Sequence, residues 1–311
     1  MKSSTDVFLT QVLCNNLLLK SNGRYRVDLS MQKFLPALLV CYTIISQAFA
    51  SGDPWPVGGR ASGMANTSVT LTDSWSLFNN PGGLAGIKQT HLMFCYDNRF
   101  GIGGLQSMAA GAAMPLKHGS MGLSVQKLGD ALYSEQMAGI AFSHKISHVQ
   151  LGIKANYVQI HVSDLGTKGA LLMEFGGVAT ITPVLFFGAH VYNFNQAKLA
   201  SYQDERIPTV MKTGLSYRPT SQLMLNLEAQ KDIDFPAMVK AGVEYQIVKH
   251  VYLRTGISTR PGISHFGMGL HKKKFLLDYA LRTHTTLGLS HHLSVTVSFD
   301  KKTHVEKINK Y

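Results

Sequence analysis

The chain has 311 residues, of which 45% are hydrophobic and only 15% are charged, a length that suits one large domain or two ordinary ones. It contains no run of about 18 consecutive apolar residues, which excludes a helical membrane protein. The formal net charge of +12 comes from basic residues spread along the chain. A nucleic-acid partner is therefore not indicated, because that would need a basic patch.

Residues 31–50 have the order of a secretory signal peptide. A basic residue precedes the apolar stretch Phe34 to Ile45, and the small-residue pattern Ala48-Phe49-Ala50 follows it. This order predicts a cleavable signal that is cut after Ala50. Residues 1–30 are then an upstream extension from a mis-assigned start, with Met31 as the initiator; a genuine cytoplasmic extension is the alternative.

Cleavage there would leave one cysteine in the exported protein. Cys14 and Cys41 precede the cleavage site, so only Cys95 remains. The mature chain is therefore expected to have no internal disulfide.

The next segment, residues 51–89, does not alternate apolar and polar residues and is rich in Gly, Asn and Pro. Such composition predicts irregular structure. A short helix is expected near 70–78, capped by Thr72 or Asp73. We expect the segment to fold into the lumen of the strands that follow it and act as a hatch or plug.

From His91 to Phe299 the sequence alternates apolar and polar positions, most clearly over 237–247. A period of two predicts strands, and segments of this length are typical of membrane barrels. The strands must close into a ring, because lipid cannot satisfy an open sheet edge. A closed single-chain bacterial barrel of antiparallel strands has an even number of them. The pattern predicts an all-β, closed antiparallel barrel over 90–299 with strands near 90–97, 104–115, 119–129, 136–146, 149–160, 170–182, 184–195, 208–218, 222–232, 237–247, 250–257, 265–272, 274–283 and 290–299, about fourteen in all.

The connections between these strands alternate in length. Short basic turns, such as Lys272-Lys273-Lys274, alternate with mostly longer loops that include 130–135 and 161–169. Outer-membrane barrels have tight periplasmic turns and longer external loops. The predicted external loops carry the acids Asp130, Glu135, Asp164, Asp204, Glu205, Asp232 and Asp234. Residues 300–311 are expected to form a basic periplasmic tail.

Several charged residues fall on the face opposite the apolar one. A basic side chain facing lipid at mid-depth costs about 2 to 4 kcal/mol, so these charges are expected to face the lumen. They carry both signs on neighbouring strands, which predicts ion pairs. A soluble β-sandwich with a charged wet face is the alternative. The predicted lumen charges are Lys154, Lys212, Glu228, Lys240, Glu244, Arg254, Asp278 and Arg282.

Two N-terminal elements carry a family resemblance. Gly59-Arg60-Ala61-Ser62-Gly63-Met64 and then Asn79-Asn80-Pro81-Gly82-Gly83-Leu84-Ala85 resemble the signature of the PorV-like branch of the FadL-type outer-membrane barrels. Stretches from Leu253 to Val295 resemble the last strands of that family. Gly82 stands where the family usually has alanine. The resemblance implies a fourteen-stranded barrel whose internal hatch includes Asn80, Pro81, Gly82 and Gly83.

The same resemblance implies a function. The family includes long-chain fatty-acid transporters and components of type IX secretion in Bacteroidota, so we expect a protein of the Gram-negative outer membrane. The leading hypothesis is an interaction platform for secretion-machinery or surface proteins. The alternative is a FadL-like passive transporter of a hydrophobic ligand, which would need an apolar pocket that runs from an external loop to a gap in the wall.

Motifs for catalysis are missing from the sequence. It has no Gly-x-Ser-x-Gly, His-Glu-x-x-His or phosphate-binding glycine loop. Ser143-His144, Ser264-His265 and His291-His292 are adjacent pairs on predicted strands, so their side chains diverge and form neither a dyad nor a chelate. We expect no enzyme activity, no metal and no cofactor.

Overall fold

The structure is a computed structural model that describes residues 57–199, 207–259, 262–284 and 286–299, together with two short strands nearer the N-terminus. Those strands, β1 (Lys20–Ser21) and β2 (Arg24–Tyr25), pair antiparallel within a unit that spans Met1–Phe49. All other described residues belong to a second unit, Ala50–Tyr311. The predicted signal peptide, the predicted tail and the acids Asp204 and Glu205 lie outside the described residues.

The second unit is a closed barrel of fourteen antiparallel strands, which confirms the predicted fold class. Each strand pairs with its neighbours in sequence, and the last strand pairs with the first from His291↔Asn98 to Phe299↔Thr90. The ring therefore has no open edge. Its strands are β3 (Thr90–Asn98), β4 (Gln106–Leu116), β5 (Gly119–Gly129), β6 (Tyr133–Ile146), β7 (Val149–Val162), β8 (Gly166–Thr182), β9 (Leu185–Tyr192), β10 (Val210–Tyr217), β11 (Leu223–Asp232), β12 (Met238–Val248), β13 (Val251–Thr259), β14 (Gly262–Lys272), β15 (Phe275–His284) and β16 (Gly288–Phe299).

The period-two pattern separates an apolar outer face from a polar inner one. In β10 the side chains of Met211, Leu215 and Tyr217 point outward and are 46%, 45% and 48% exposed. Lys212 and Ser216, which alternate with them, are buried inside. Apolar side chains are exposed in this way all around the ring, as expected of strands that face lipid.

Two acids predicted in external loops lie instead on strands. β6 begins at Tyr133, and Glu135 is buried on its inner face, where its Oε1 accepts a hydrogen bond of 2.6 Å from the Tyr133 hydroxyl. Asp232 is the buried last residue of β11. The predicted loops 130–135 and 161–169 shrink to 130–132 and 163–165. An inward-facing acid and a loop acid look alike in sequence, which explains the error.

Residues 57–89 fill part of the barrel interior with two short helices, α1 (Gly59–Gly63) and α2 (Ser76–Asn79), and the 3₁₀ helix η1 (Pro81–Gly86). A second 3₁₀ helix, η2 (Gly103–Leu105), precedes β4. The helix predicted near 70–78 is shorter in the structure, where α2 is a single turn that begins at Ser76. Apolar residues of this segment pack against inward side chains of β3, β4 and β6; this core contains Val57, Trp75, Leu77, Phe78, Leu84, Ile87, Met93, Cys95, Ala109, Ala113 and Ala141. We call residues 57–89 the plug. Among the described residues, no helix has the length and apolarity needed to cross a membrane.

Candidate functional site in the barrel lumen

One arginine of the plug joins it to the wall through a chain of alternating charges. Arg60 in α1 donates to both Glu244 carboxylate oxygens, at 2.6 and 2.9 Å, and to Asp73 Oδ2 at 3.0 Å. Glu244 also accepts from Arg254 Nε at 2.6 Å, and Arg254 Nη1 donates to Asp278 Oδ1 at 2.7 Å. Each buried charge thus has an opposite partner, which offsets the cost of removing it from water.

A second wall carboxylate binds the backbone of the plug. Glu228 Oε2 accepts hydrogen bonds from the backbone N–H groups of Ser68 and Val69, at 2.8 and 2.9 Å. Its other oxygen accepts from Lys240 Nζ at 3.1 Å. Hydrogen bonds to an ionised acceptor are stronger than neutral ones, so this contact fixes the plug at a second place.

The remaining charges form two clusters inside the barrel. Lys154 Nζ lies 3.7 Å from Glu174 Oε1, and Glu174 also contacts His190 Nε2 at 2.9 Å. Arg282 Nη2 donates to both oxygens of Asp97 at 2.6 Å. All eight predicted lumen charges therefore point inward in the structure. Lys212 is buried nearby with no salt bridge within 4.0 Å to the described residues.

Sequence reasoning missed several members of these networks. Glu174 and Asp97 occupy inward positions of β8 and β3. The alternation that predicts the other lumen charges therefore predicts these two as well. Arg60 and Asp73 lie in the plug, which has no periodicity and so gave no comparable signal.

The four hatch residues inferred from the resemblance lie where the plug meets β7 and β8. Asn80 is fully buried; its Nδ2 donates to Val69 O and to Gly177 O, at 2.5 and 3.2 Å, and its Oδ1 accepts from Gly82 N. Pro81 begins η1 and packs on Gly152. A Cβ on Gly82 would lie 2.5 Å from the Cα of Gly177, and one on Gly83 would meet Leu71 O. These contacts explain why glycine rather than alanine occupies position 82.

Toward the external end, the inner face of β7 to β10 becomes apolar. Along β7 the inward residues change from Lys154 and Asn156 at mid-depth to Val158 and Ile160. The same change occurs on β8, from Glu174 to Leu172. We call this apolar surface the chamber; it is formed by Val158, Ile160, Ala170, Leu172, Tyr192 and Val210 with the loop residues Ala197, Leu199 and Ile207.

The described ends of the loop between β9 and β10, residues 193–199 and 207–209, pack on the chamber and are held together by Asn193. Asn193 is fully buried; its Nδ2 donates to Ile207 O at 2.7 Å and its Oδ1 accepts from Ala197 N at 2.9 Å. Its φ of 54° lies in the left-handed region, which asparagine tolerates better than most residues. Of the described loop residues, Ala197, Leu199 and Ile207 are buried against the chamber, whereas Phe194 is exposed.

The barrel has two depressions, one at the short-turn end of the lumen and one on its outer face. A polar cavity of about 450 Å³ at the short-turn end is lined by Arg60, Glu244, Phe186 and Arg218. Arg218 stacks on Phe186 and donates to Thr70 O of the plug at 3.1 Å. Burial, and after it the nearby charge of Arg60, lowers the pKa of Arg218 to about 10, so it stays charged at neutral pH.

The second depression lies on the outer face of β3 to β8. It is an apolar groove of about 830 Å³. Its floor includes the small residues Ala110, Gly111, Ala112, Ala138, Gly139 and Ala155. The strands beneath it remain paired, so the groove does not open into the lumen.

The adjacent Ser–His and His–His pairs diverge as their spacing predicts. Ser143 is buried inside while His144 is exposed, and His292 faces Asp97 while His291 contacts Tyr279 on the outside. Within the described part of the chain, no group of three or more His, Cys, Asp or Glu side chains is placed to hold a metal ion.

Closure, the apolar outer face and the internal plug together define the fold of an outer-membrane β-barrel. No protein-family model matches the sequence, and no curated protein matches it. Solved structures do match the fold. The monoaromatic hydrocarbon channel CymD has a TM-score of 0.63 at 12% identity, over 81% of this chain and 100% of that one.

Two further structures show the same likeness. The Pseudomonas putida toluene transporter TodX has a TM-score of 0.59 at 11% identity, over 81% of this chain and 98% of its own. A Pseudomonas aeruginosa FadL homologue has a TM-score of 0.55 at 13% identity, over 80% and 100%. At these identities the likeness establishes the FadL-type barrel fold alone.

Proposed function

We propose that the protein is an outer-membrane channel for small hydrophobic molecules, exported by the predicted signal peptide. The observation that carries this proposal is the chamber. A barrel interior that only held water or ion pairs would have no need for a buried apolar surface built from four strands and a loop. Ligand sites are mostly apolar with a few polar groups at their edge, as this surface is beside Lys154 and Glu174.

The entrance is proposed to lie beside the described ends of the loop between β9 and β10, where Leu199 and Ile207 are buried. Leu199 and Ile207 pack where an apolar ligand would contact Val158 and Leu172. If a ligand took the place of these two side chains, the apolar surface of the strands would stay buried. The hydrophobic free energy lost when the side chains leave would then be regained from the contacts of the ligand. CymD, a monoaromatic hydrocarbon channel, and TodX, a toluene transporter, have the same fold.

The exit is proposed to pass the plug rather than the wall. All neighbouring strands of the ring are paired, with register shifts only between Thr180 and Thr182 and between Gln246 and Val248, both at short-turn ends. The gap in the wall that the sequence-based alternative required is thus not found among the described strands. The cavity beside Arg60 and Arg218 lies on the other side of the plug, toward the short-turn end.

The test is direct binding of two probes, toluene and a long-chain fatty acid, to the purified protein. Leu172→Asn places a polar group in the chamber, and we expect it to weaken binding roughly tenfold. Leu172→Met keeps the side chain apolar and of similar size, so it should bind as the unaltered protein does. The chamber would be excluded as the ligand site if the unaltered protein bound neither probe. It would also be excluded if Leu172→Asn and Leu172→Met bound the probes equally well.

A second candidate function is the interaction platform for secretion or surface-protein handling. It is supported by the resemblance of the N-terminal elements to the PorV-like group, and by a plug fixed to several strands through Arg60 and Glu228. A platform should copurify with a protein partner from mild detergent and should bind neither probe. A channel should show the reverse.

A further inference from the structure

The short-turn end of the barrel carries a ring of exposed cations. Exposed lysines lie on four of its six turns or directly beside them, and one more precedes the first strand. Exposed histidines accompany several of them. The lysines are Lys88, Lys117, Lys145, Lys249, Lys272, Lys273 and Lys274, and the histidines on the turns are His118, His148 and His250.

No exposed acid lies at this end of the barrel in the part of the chain that the structure describes. Asp130, Asp164 and Asp234 are exposed, but all three lie at the opposite end, after β5, β7 and β11. The acids nearest the short turns are directed into the lumen, where Glu244 pairs with Arg60 and Asp278 with Arg254. Among the described residues, the surface of the short-turn end is therefore cationic over most of its circumference.

These lysines stand at the lower border of the apolar outer face. Lys117 follows the outward Leu116, which is 42% exposed, and Lys249 follows Val248, which is 56% exposed. Lys145, the next-to-last residue of β6, is exposed at the rim on the same side of the strand as the inward Ser143. A lysine at such a border can lay its stem along lipid and extend its ammonium group to the head-group level.

We propose that this ring binds the phosphate groups of anionic phospholipids in the periplasmic leaflet. Short turns face the periplasm in outer-membrane barrels, so the ring is level with the head groups of that leaflet. The cations lie on four of the six short turns and beside the first strand, so they cover most of the circumference; the neighbouring turns β8–β9 and β10–β11 carry none of these lysines. A distribution over most of the circumference meets lipid from several sides, whereas a protein partner needs only one patch. Basic side chains at a membrane surface attract anionic lipid.

The experiment counts lipids bound to the purified, delipidated barrel by native mass spectrometry, with phosphatidylglycerol or phosphatidylcholine as the probe. The variant K117Q/K145Q/K249Q neutralises three turns. The control K127Q/K168Q/K231Q removes the same charge from the opposite end. We expect the unaltered protein and the control to prefer phosphatidylglycerol, and the turn variant to lose that preference by roughly fivefold or more. Added salt should reduce the preference.

Heat-modifiable gel mobility shows that each variant remains a folded barrel. Equal binding of the two lipids by the unaltered protein would overturn the proposal, as would the same loss in the control. An acidic protein that copurifies only while the three lysines are present, without any phosphatidylglycerol preference, would replace lipid by a protein partner. The outcome does not depend on which ligand passes the lumen.

Discussion

Single side chains of the wall determine how firmly the plug is held. Glu228 is the clearest case, because one carboxylate accepts two backbone N–H groups of the plug and a lysine of the next strand. Loss of this group would leave both N–H groups without their acceptor, and Lys240 would keep only the amide oxygen of Gln230, at 2.6 Å, and lose its opposite charge. Removal of one partner of a buried ion pair costs about 3 to 5 kcal/mol.

We therefore predict that Glu228→Ala loosens the plug. Cys95 is buried beneath it, 3% exposed, and is the natural reporter. In a C14S/C41S background, the rate of Cys95 alkylation by a maleimide should rise in Glu228→Ala and rise less in Glu228→Gln, which keeps an acceptor oxygen. An unchanged rate in both variants would show that Glu228 does not hold the plug.

Gly82 makes a second prediction at this scale. Its Cα faces Gly177 so closely that alanine must displace η1 or β8. Overpacking of this kind costs about 1 to 3 kcal/mol, so Gly82→Ala should also speed alkylation of Cys95. Gly103→Ala is the matched control, since a Cβ there meets nothing within 4 Å. Equal rates for the two variants would contradict the tight packing of the plug.

At the scale of elements, the described ends of the loop between β9 and β10, residues 193–199 and 207–209, are attached mainly by side chains. They are held by apolar contacts and by the side-chain hydrogen bonds of Asn193 and Asn195. Backbone hydrogen bonds also contribute, such as those from Phe194 N to Met173 O and from Ile207 N to Ala197 O. Contacts of this kind open at a lower free energy than a strand ladder does.

Asn193→Ala should release the loop. The variant loses two side-chain hydrogen bonds, each worth about 1 kcal/mol, and it places alanine in the left-handed region. Limited proteolysis should cut the loop faster, and association of the toluene probe should speed up. Asn193→Gly also removes the side-chain hydrogen bonds but causes no backbone strain. Comparison of the two variants therefore separates the effect of the hydrogen bonds from that of the strain. Slower association in both variants would mean that an ordered loop helps binding.

At the scale of the whole molecule, the closed ring predicts how the protein behaves on a gel. An unheated barrel should stay compact and migrate faster than the boiled chain, because a closed strand ladder resists detergent. The same band should begin at Ser51 by mass spectrometry if the signal is cut after Ala50. One unshifted band in the soluble fraction would contradict a membrane barrel, and an N-terminus at Met1 would contradict cleavage.

Much of this architecture follows from the sequence. The period of two fixed which side chains of each strand share a face, and lipid forbids charge on one of those faces. That reasoning is enough to place Lys154, Glu228 and Arg254 inside a closed barrel with an even number of strands. The alternation of turn lengths further determined which end carries Lys117 and Lys249.

The tertiary structure alone decided which inward residues meet. Periodicity is local, whereas contacts across a lumen depend on register, strand tilt and closure. The pairing of Arg60 with Glu244, and of Glu228 with the backbone of Ser68, joins an aperiodic segment to strands more than 150 residues away. The chamber likewise appears only when β7 to β10 are aligned and their loop is folded inward, because no single strand contains more than part of it.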